Sequence, residues 1–127
     1  LFEHVWTWAG SQRTTEKSIG INPSHIPSEV YKLTEDVRYW VTHHTFSLPE
    51  IAVRLHHRLV YIHPFANGNG RHARITADLF LTYNQLPAFT WGAGDLVSMS
   101  EIRAKYIRTL KLADGGDISG LLAFAQS

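Results

Sequence analysis

Apolar residues recur every three or four positions along most of the chain, which is the spacing of amphipathic helices. Pro27 favours the first turn of one helix, and two capping-box pairs open two others, Ser47 with Glu50 and Ser98 with Glu101. The predicted apolar positions, helix by helix, are Val30, Leu33, Val37, Trp40 and Val41; Ile51, Leu55, Leu59 and Ile62; Ile75, Leu79 and Tyr83; Ile102, Tyr106, Ile107 and Leu110; and, in a short final helix, Leu121, Leu122 and Phe124.

Proline, asparagine and glycine residues interrupt this pattern and predict the helix ends. Pro64 ends the second helix, because the residue before a proline disfavours helical geometry. The third helix begins near Asn69 and ends at Asn84 and Pro87, and the Asp-Gly-Gly sequence at 114–116 closes the fourth.

The first 26 residues have a different character. Residues 1–9 show helical spacing and stop at Gly10, whereas residues 11–26 are rich in Thr, Ser and Ile and favour a short β-hairpin or extended flap. The whole pattern therefore predicts a mainly α fold of five or six helices with at most one hairpin.

Composition and charge exclude several classes of protein. The 127 residues are 44% hydrophobic and 18% charged, which fits one globular core and not a disordered tail. A net charge of +1 gives no electrostatic footprint for nucleic acid, and no apolar run approaches the length of a membrane helix. With no cysteine and no recognisable signal peptide, we expect a single cytoplasmic domain over residues 1–127; the first residue, Leu1, leaves room for an N-terminus farther upstream.

Residues 63–74, between the second and third helices, carry the candidate chemistry. Gly68 and Gly70 flank Asn69 where the third helix starts, so bare backbone N–H groups and the positive end of the helix dipole can face an anion. Arg71 and Arg74 lie one turn apart on the same side of that helix start, where acidic residues are normally favoured. A bound polyanion such as a triphosphate would remove this conflict.

His63 lies at the other end of the same loop. A neutral imidazole is a suitable general base near pH 7, and neighbouring arginines oppose its protonation. The alternative is that the Gly-Asn-Gly turn and the histidine are purely structural. The presence of this histidine, two glycines and two arginines within twelve positions argues against that alternative.

The segment His63-Pro64-Phe65-x-x-Gly68-Asn69-Gly70-Arg71-x-x-Arg74 resembles the signature of Fic-domain proteins, H-P-F-x-[D/E]-G-N-G-R-x-x-R, and departs from it only at Asn67. Trp8-Ala9-Gly10 with Arg13 resembles the segment that leads into the Fic target-binding flap. The sequence around the motif, with FTW and the Arg103-x-x-Tyr106 helix, resembles the subgroup called mobile mystery protein B.

This resemblance implies a compact helical bundle with a short hairpin flap, and an activity that transfers AMP from ATP to a Ser, Thr or Tyr hydroxyl of a partner protein. His63 would be the catalytic base. The nucleotide phosphates would be held by Gly68, Asn69, Gly70, Arg71 and Arg74, and Phe65 would be structural. The flap would hold the target by strand addition through Thr14, Thr15, Ser18, Ile19, Gly20 and Ile21.

Asn67 stands where the family usually has the Asp or Glu that ligates Mg²⁺. An amide oxygen can still ligate this hard cation but brings no charge, so the resemblance implies weakened Mg²⁺ binding. Two alternatives follow, an ATP-binding pseudoenzyme and a transferase of another phosphate-containing group.

The resemblance also implies an inhibitor, because many Fic proteins carry an inhibitory helix in which Glu follows Ser or Thr after four residues. None of Glu16, Glu29, Glu35, Glu50 and Glu101 fits this spacing, so an inhibitory segment is expected upstream of Leu1 or on a separate antitoxin-like chain.

A metal-assisted hydrolase is a third function class. The pairs His43-His44 and His56-His57 do not have a chelating spacing, and the favoured interpretation is that His56 or His57 is a satisfied helix residue near the active loop. Trp6, Trp8, Trp40 and Trp91 are interpreted as core residues, with stacking of one of them on adenine as the alternative.

Overall fold

Five α-helices account for most of the chain in a computed structural model that describes residues 21–63, 68–94 and 97–127. We number them α1 (Ile26–Thr42), α2 (Leu48–Ile62), α3 (Asn69–Tyr83), α4 (Met99–Asp114) and α5 (Ser119–Gln126). A 3-10 turn at Pro23–His25 precedes α1. No strand occurs within these described ranges, and the predicted mainly α class is confirmed.

Of residues 11–26, predicted as a hairpin or extended flap, residues 21–26 are described, and the prediction is wrong at 23–26, where the 3-10 turn leads directly into α1. Pro23 and Pro27 have a fixed φ that suits a helical turn. The predicted helix at 1–9 and the rest of the flap lie outside the described residues.

The helix α2 is the centre of the bundle and contacts α1, α3 and α5. Its start is capped by Ser47, whose hydroxyl accepts a hydrogen bond from the Glu50 N–H at 3.3 Å, as the capping-box spacing predicted. The four apolar residues predicted for its inner face, Ile51, Leu55, Leu59 and Ile62, are all buried. They form the main core with Ile26, Val30, Leu33 and Val37 of α1.

The buried face of α3 differs from the apolar stripe in its sequence. Leu79 is 41% exposed and Tyr83 is 72% exposed, so two of the three predicted apolar positions point outward. The inner face instead carries small and polar residues, namely Asn69, His72, Ala73, Thr76 and Ala77, followed by Phe80 and Leu81. The small alanine and threonine side chains allow α3 to pack closely against α2.

The helices α4 and α5 pack on each other and cover the remaining side of α2. A second apolar cluster joins them to α2 through Val53, Ala113, Leu121 and Ala125. Ile107 was predicted for the apolar stripe of α4 but lies at the surface, whereas Thr109 is buried. None of the helices that the structure describes is both long and apolar enough to cross a lipid bilayer.

Candidate functional site

The turn between α2 and α3 joins two packed helices, so the end of one and the start of the other lie at the same end of the bundle. His63 ends α2 with a left-handed backbone (φ 54°, ψ 60°) and donates its N–H to the Leu59 carbonyl at 2.9 Å. The helix therefore stops just before Pro64, as predicted. The His63 side chain is half-buried.

Gly68 begins α3 with a left-handed backbone (φ 74°, ψ 17°), a conformation that glycine adopts without steric cost. Its carbonyl accepts the first hydrogen bond of the helix, from the His72 N–H at 2.9 Å. The N–H groups of residues 69–71 precede that bond and lie at the positive end of the helix dipole. The N-cap residue Gly68 has no side chain that could cap α3, and the first turn of the helix contains no acidic residue.

Two arginines follow this start at different depths. Arg71 is exposed, whereas Arg74 is half-buried. One guanidinium nitrogen of Arg74, Nη1, lies 3.6 Å from the point where a Cβ atom on Gly70 would stand, so the side chain extends back towards the first turn of α3. The charge of Arg74 is therefore directed to the helix start, where the sequence predicted an anion.

The Arg74 guanidinium also lies beside Tyr106 of α4, with its Cζ atom 5.9 Å from the ring centroid. Burial raises the pKa of the Tyr106 hydroxyl, while the charge of Arg74 and its hydrogen bond to that hydroxyl lower it. The hydroxyl is 2.8 Å from Nε2 of His56 in α2. Residues of α2, α3 and α4 thus meet at the Tyr106 hydroxyl.

A second set of contacts supports His56 from the other side. Its ring centroid is 4.6 Å from that of Trp91. The indole N–H of Trp91 lies 3.2 Å from each carboxylate oxygen of Asp78, which also accepts from the Phe89 N–H at 3.1 Å. Burial raises the pKa of Asp78, and these hydrogen bonds and the charge of Arg74 partly offset the shift.

Two histidines of this region are held neutral by the fold. His56 is fully buried, and its pKa falls from 6.5 to about 3 because of burial and, to a smaller extent, the neighbouring charge of Arg74. Burial also lowers the pKa of His72, on the inner face of α3, to about 4. Both imidazoles therefore lie in the fold as neutral groups at pH 7.

The other candidates from the sequence have structural partners. His57 contacts Asp114 at 2.8 Å, and Trp40 and Trp91 pack against the main core. No group of three His, Asp or Glu side chains suited to a metal is found in the part of the chain that the structure describes. The predicted metal ligand Asn67 lies outside it.

Of the predicted site residues, His63, Gly68, Asn69, Gly70, Arg71 and Arg74 occupy the same end of the α2–α3 pair. Asn69 is 5% exposed, so its side chain is buried at the helix start. Of the flap, only Ile21 is described; it is outside any helix and packs against the core, and Thr14, Thr15, Ser18, Ile19 and Gly20 lie outside the described residues.

A model of the Fic/DOC family matches residues 1–81, which is well over half of the chain. The chain belongs to the Fic/DOC family. Relatives of this family include protein adenylyltransferase fic-1 of Caenorhabditis elegans, 31% identical over 113 residues and 87% of this chain, and protein adenylyltransferase Fic of Drosophila virilis, 30% identical over 118 residues and 91% of this chain. The chain spans 21% and 23% of the lengths of these two relatives.

Solved Fic structures have the same arrangement of helices. Fic-1 (residues 134–508) from C. elegans superposes with a TM-score of 0.70 at 27% identity, over 93% of this chain and 33% of that one. A Fic-domain-containing signalling protein from Bacteroides thetaiotaomicron superposes with a TM-score of 0.63 at 24% identity, over 85% of this chain and 39% of that one, which shows the fold. The mainly helical Fic fold implied by the sequence motif is therefore confirmed.

Proposed function

We propose that this Fic/DOC chain is a protein adenylyltransferase that transfers AMP from ATP to a Ser, Thr or Tyr hydroxyl of a partner protein. The observation that carries the proposal is the start of α3, where the N-cap is a left-handed glycine without a side chain and the following turns carry arginines instead of acidic residues. That arrangement suits a polyphosphate. The names of the relatives, protein adenylyltransferases, support AMP as the group transferred.

In the proposed reaction, the neutral imidazole of His63 accepts the proton of the target hydroxyl. The hydroxyl oxygen then attacks the α-phosphorus of ATP, the new oxygen–phosphorus bond forms, and the bond to the β-phosphate oxygen breaks in line. Pyrophosphate leaves with its electron pair. The N–H groups of Gly68, Asn69 and Gly70 would hold the phosphates, and Arg71 and Arg74 would neutralise the charge of the β- and γ-phosphates.

Mg²⁺ is the metal that the family resemblance implies, and it would neutralise phosphate charge. The donor set fits it weakly, since the first turn of α3 has no carboxylate and position 67 offers only a neutral amide oxygen. Asn67 would be the protein ligand. The flap at residues 14–21 would align the target segment by main-chain hydrogen bonds.

A second candidate, an ATP-binding protein without transfer activity, is favoured by the same asparagine at position 67. We favour the active transferase over the binding protein, because the amide oxygen of Asn67 can still ligate Mg²⁺. Assignment to the mobile mystery protein B subgroup, a single domain over 1–127 and a separate inhibitory partner belong to the same proposal.

The test uses ATP labelled at the α-phosphate with Mg²⁺ or Mn²⁺ and a panel of candidate target proteins. We expect label on protein with the native chain, a loss of at least about a hundredfold in His63→Ala, and no change in His25→Ala, an exposed histidine at the start of α1. Label from the γ-phosphate should not be transferred.

Binding and transfer measurements on the variants distinguish the transferase from the ATP-binding protein. ATP binding that Arg71→Ala abolishes, together with no transfer by the native chain and transfer by Asn67→Asp, would support the binding protein. Transfer that is unaffected in His63→Ala would overturn the proposed mechanism.

A further inference from the structure

Tyr106 connects the candidate phosphate site to the interior of the bundle. Its hydroxyl lies 2.8 Å from Nε2 of His56, and the Arg74 guanidinium lies beside its ring and hydrogen-bonds to its oxygen. The sequence motif does not include Tyr106, which is 32 positions beyond Arg74 along the chain. Only the packing of α4 against the other helices brings it there.

The Tyr106 hydroxyl can accept a hydrogen bond from one neighbour and donate one to the other. A guanidinium can only donate, so the Tyr106 oxygen accepts from Arg74. His56 is fully buried and neutral, and in the tautomer that carries its hydrogen on Nδ1 its Nε2 atom accepts a hydrogen bond from the Tyr106 hydroxyl. Phenylalanine has no hydroxyl, so replacing Tyr106 by phenylalanine removes both hydrogen bonds.

The ring of His56 is itself packed on a residue that hydrogen bonds hold in place. Its ring packs against Trp91, whose indole N–H is bound to Asp78. Trp91 has a left-handed backbone (φ 52°) and is followed by Gly92 at φ 81°, an uncommon turn that directs the indole inward. Asp78, one helical turn beyond Arg74, adds a negative charge near the guanidinium.

We propose that Tyr106 is a positioning residue for Arg74, whose hydroxyl, anchored by His56, holds the guanidinium at the start of α3 to meet the β- and γ-phosphates. A free arginine side chain has many rotamers, and holding it before the ligand arrives lowers the entropy lost on binding. This inference rests on the proposed function, because it assumes that Arg74 binds phosphate.

The test compares the binding of ATP and AMP by calorimetry in Tyr106→Phe, which retains the aromatic ring. We expect the dissociation constant of ATP to rise about three- to tenfold, the effect of one hydrogen bond, and that of AMP to change by less than about twofold, since AMP lacks the two outer phosphates. In an Arg74→Ala background the same substitution should have no further effect on ATP. The control is Tyr31→Phe, on an exposed tyrosine of α1, which should leave both constants unchanged.

Three results would overturn the inference. An equal loss for ATP and AMP, or a loss that persists when Arg74 is alanine, would show that Tyr106 acts only on the fold. Unchanged ATP binding in Tyr106→Phe, while Arg74→Ala weakens it, would reject the positioning role and leave the proposed function intact. If Arg74→Ala itself leaves ATP binding unchanged, the proposed role of Arg74 fails, and the positioning role fails with it.

Discussion

Left-handed backbone geometry occurs at both sides of the α2–α3 turn, at His63 and at Gly68. For histidine this conformation is uncommon, and residues held in it are concentrated at functional sites. Gly68 needs it to start α3, whereas Gly70 is an ordinary helical residue. A glycine in a regular helix lowers stability, and under the proposed function this glycine allows a phosphate to approach the backbone of residue 70.

Gly70→Ala is the residue-scale prediction. An added Cβ would contact only Arg74 Nη1 at 3.6 Å, an ordinary distance, so the free energy of unfolding should stay the same or rise by up to about 1 kcal/mol. ATP binding should weaken by about tenfold, the value of one hydrogen bond to a charged group. Urea unfolding and calorimetry measure the two quantities.

The matched variant is Gly92→Ala, where a Cβ would stand 2.8 Å from Phe124 Cε1 and 3.2 Å from Ile102 Cγ2. The clash and the left-handed backbone should together lower the free energy of unfolding by about 2 kcal/mol or more. If Gly70→Ala were destabilised as strongly as Gly92→Ala, Gly70 would be a structural glycine and the argument for ligand approach would fail.

At the scale of elements, the sequence was most informative where a helix has one continuous apolar face. The predicted inner residues of α2 are all buried, and its predicted cap at Ser47 is present. The face of α3 could not be identified in this way, because close packing on α2 selects Ala73, Thr76 and Ala77 and leaves Leu79 outside. Hydrophobic periodicity reports burial only when the buried residues are large.

The capping boxes give the element-scale prediction. Ser47→Ala removes the acceptor of the Glu50 N–H and should lower the free energy of unfolding by about 1 kcal/mol. Ser98→Ala removes the acceptor of the Glu101 N–H, at 3.2 Å, with a similar result. Ser47→Asp retains an acceptor and should stay within a few tenths of 1 kcal/mol of the native chain in urea unfolding. Equal losses in Ser47→Ala and Ser47→Asp would exclude capping as the cause.

At the scale of the whole molecule, local spacing predicted the motif but not the contacts that support it. The glycines, arginines and histidine of residues 63–74 are close in sequence, so their common position follows from one turn. The contact of His56 with Tyr106 joins residues 50 positions apart, and Trp91 reaches Asp78 from a turn beyond α3. Such contacts depend on how α4 and the 86–94 segment pack on the α2–α3 pair, which no local pattern specifies.

The two buried histidines make the stability of this bundle depend on pH. In the unfolded chain, histidine has a pKa of about 6.5, whereas in the fold the pKa of His56 is about 3 and that of His72 about 4. Between these values the unfolded chain binds more protons than the folded chain. The free energy of unfolding therefore rises with pH in this range and decreases as the pH falls below about 6.5. His56 alone should account for about 2 kcal/mol lost between pH 7.5 and 5.

Urea unfolding of the native chain and of His56→Gln, at pH 7.5 and pH 5, measures this contribution. Glutamine does not titrate, so the variant should lose about half as much stability on acidification as the native chain, with the remainder due to His72. The comparison concerns the difference between two pH values, and any stability that the substitution removes at both pH values cancels. The same loss in both proteins would mean that His56 is protonated within the fold, which would also remove the neutral acceptor that anchors Tyr106.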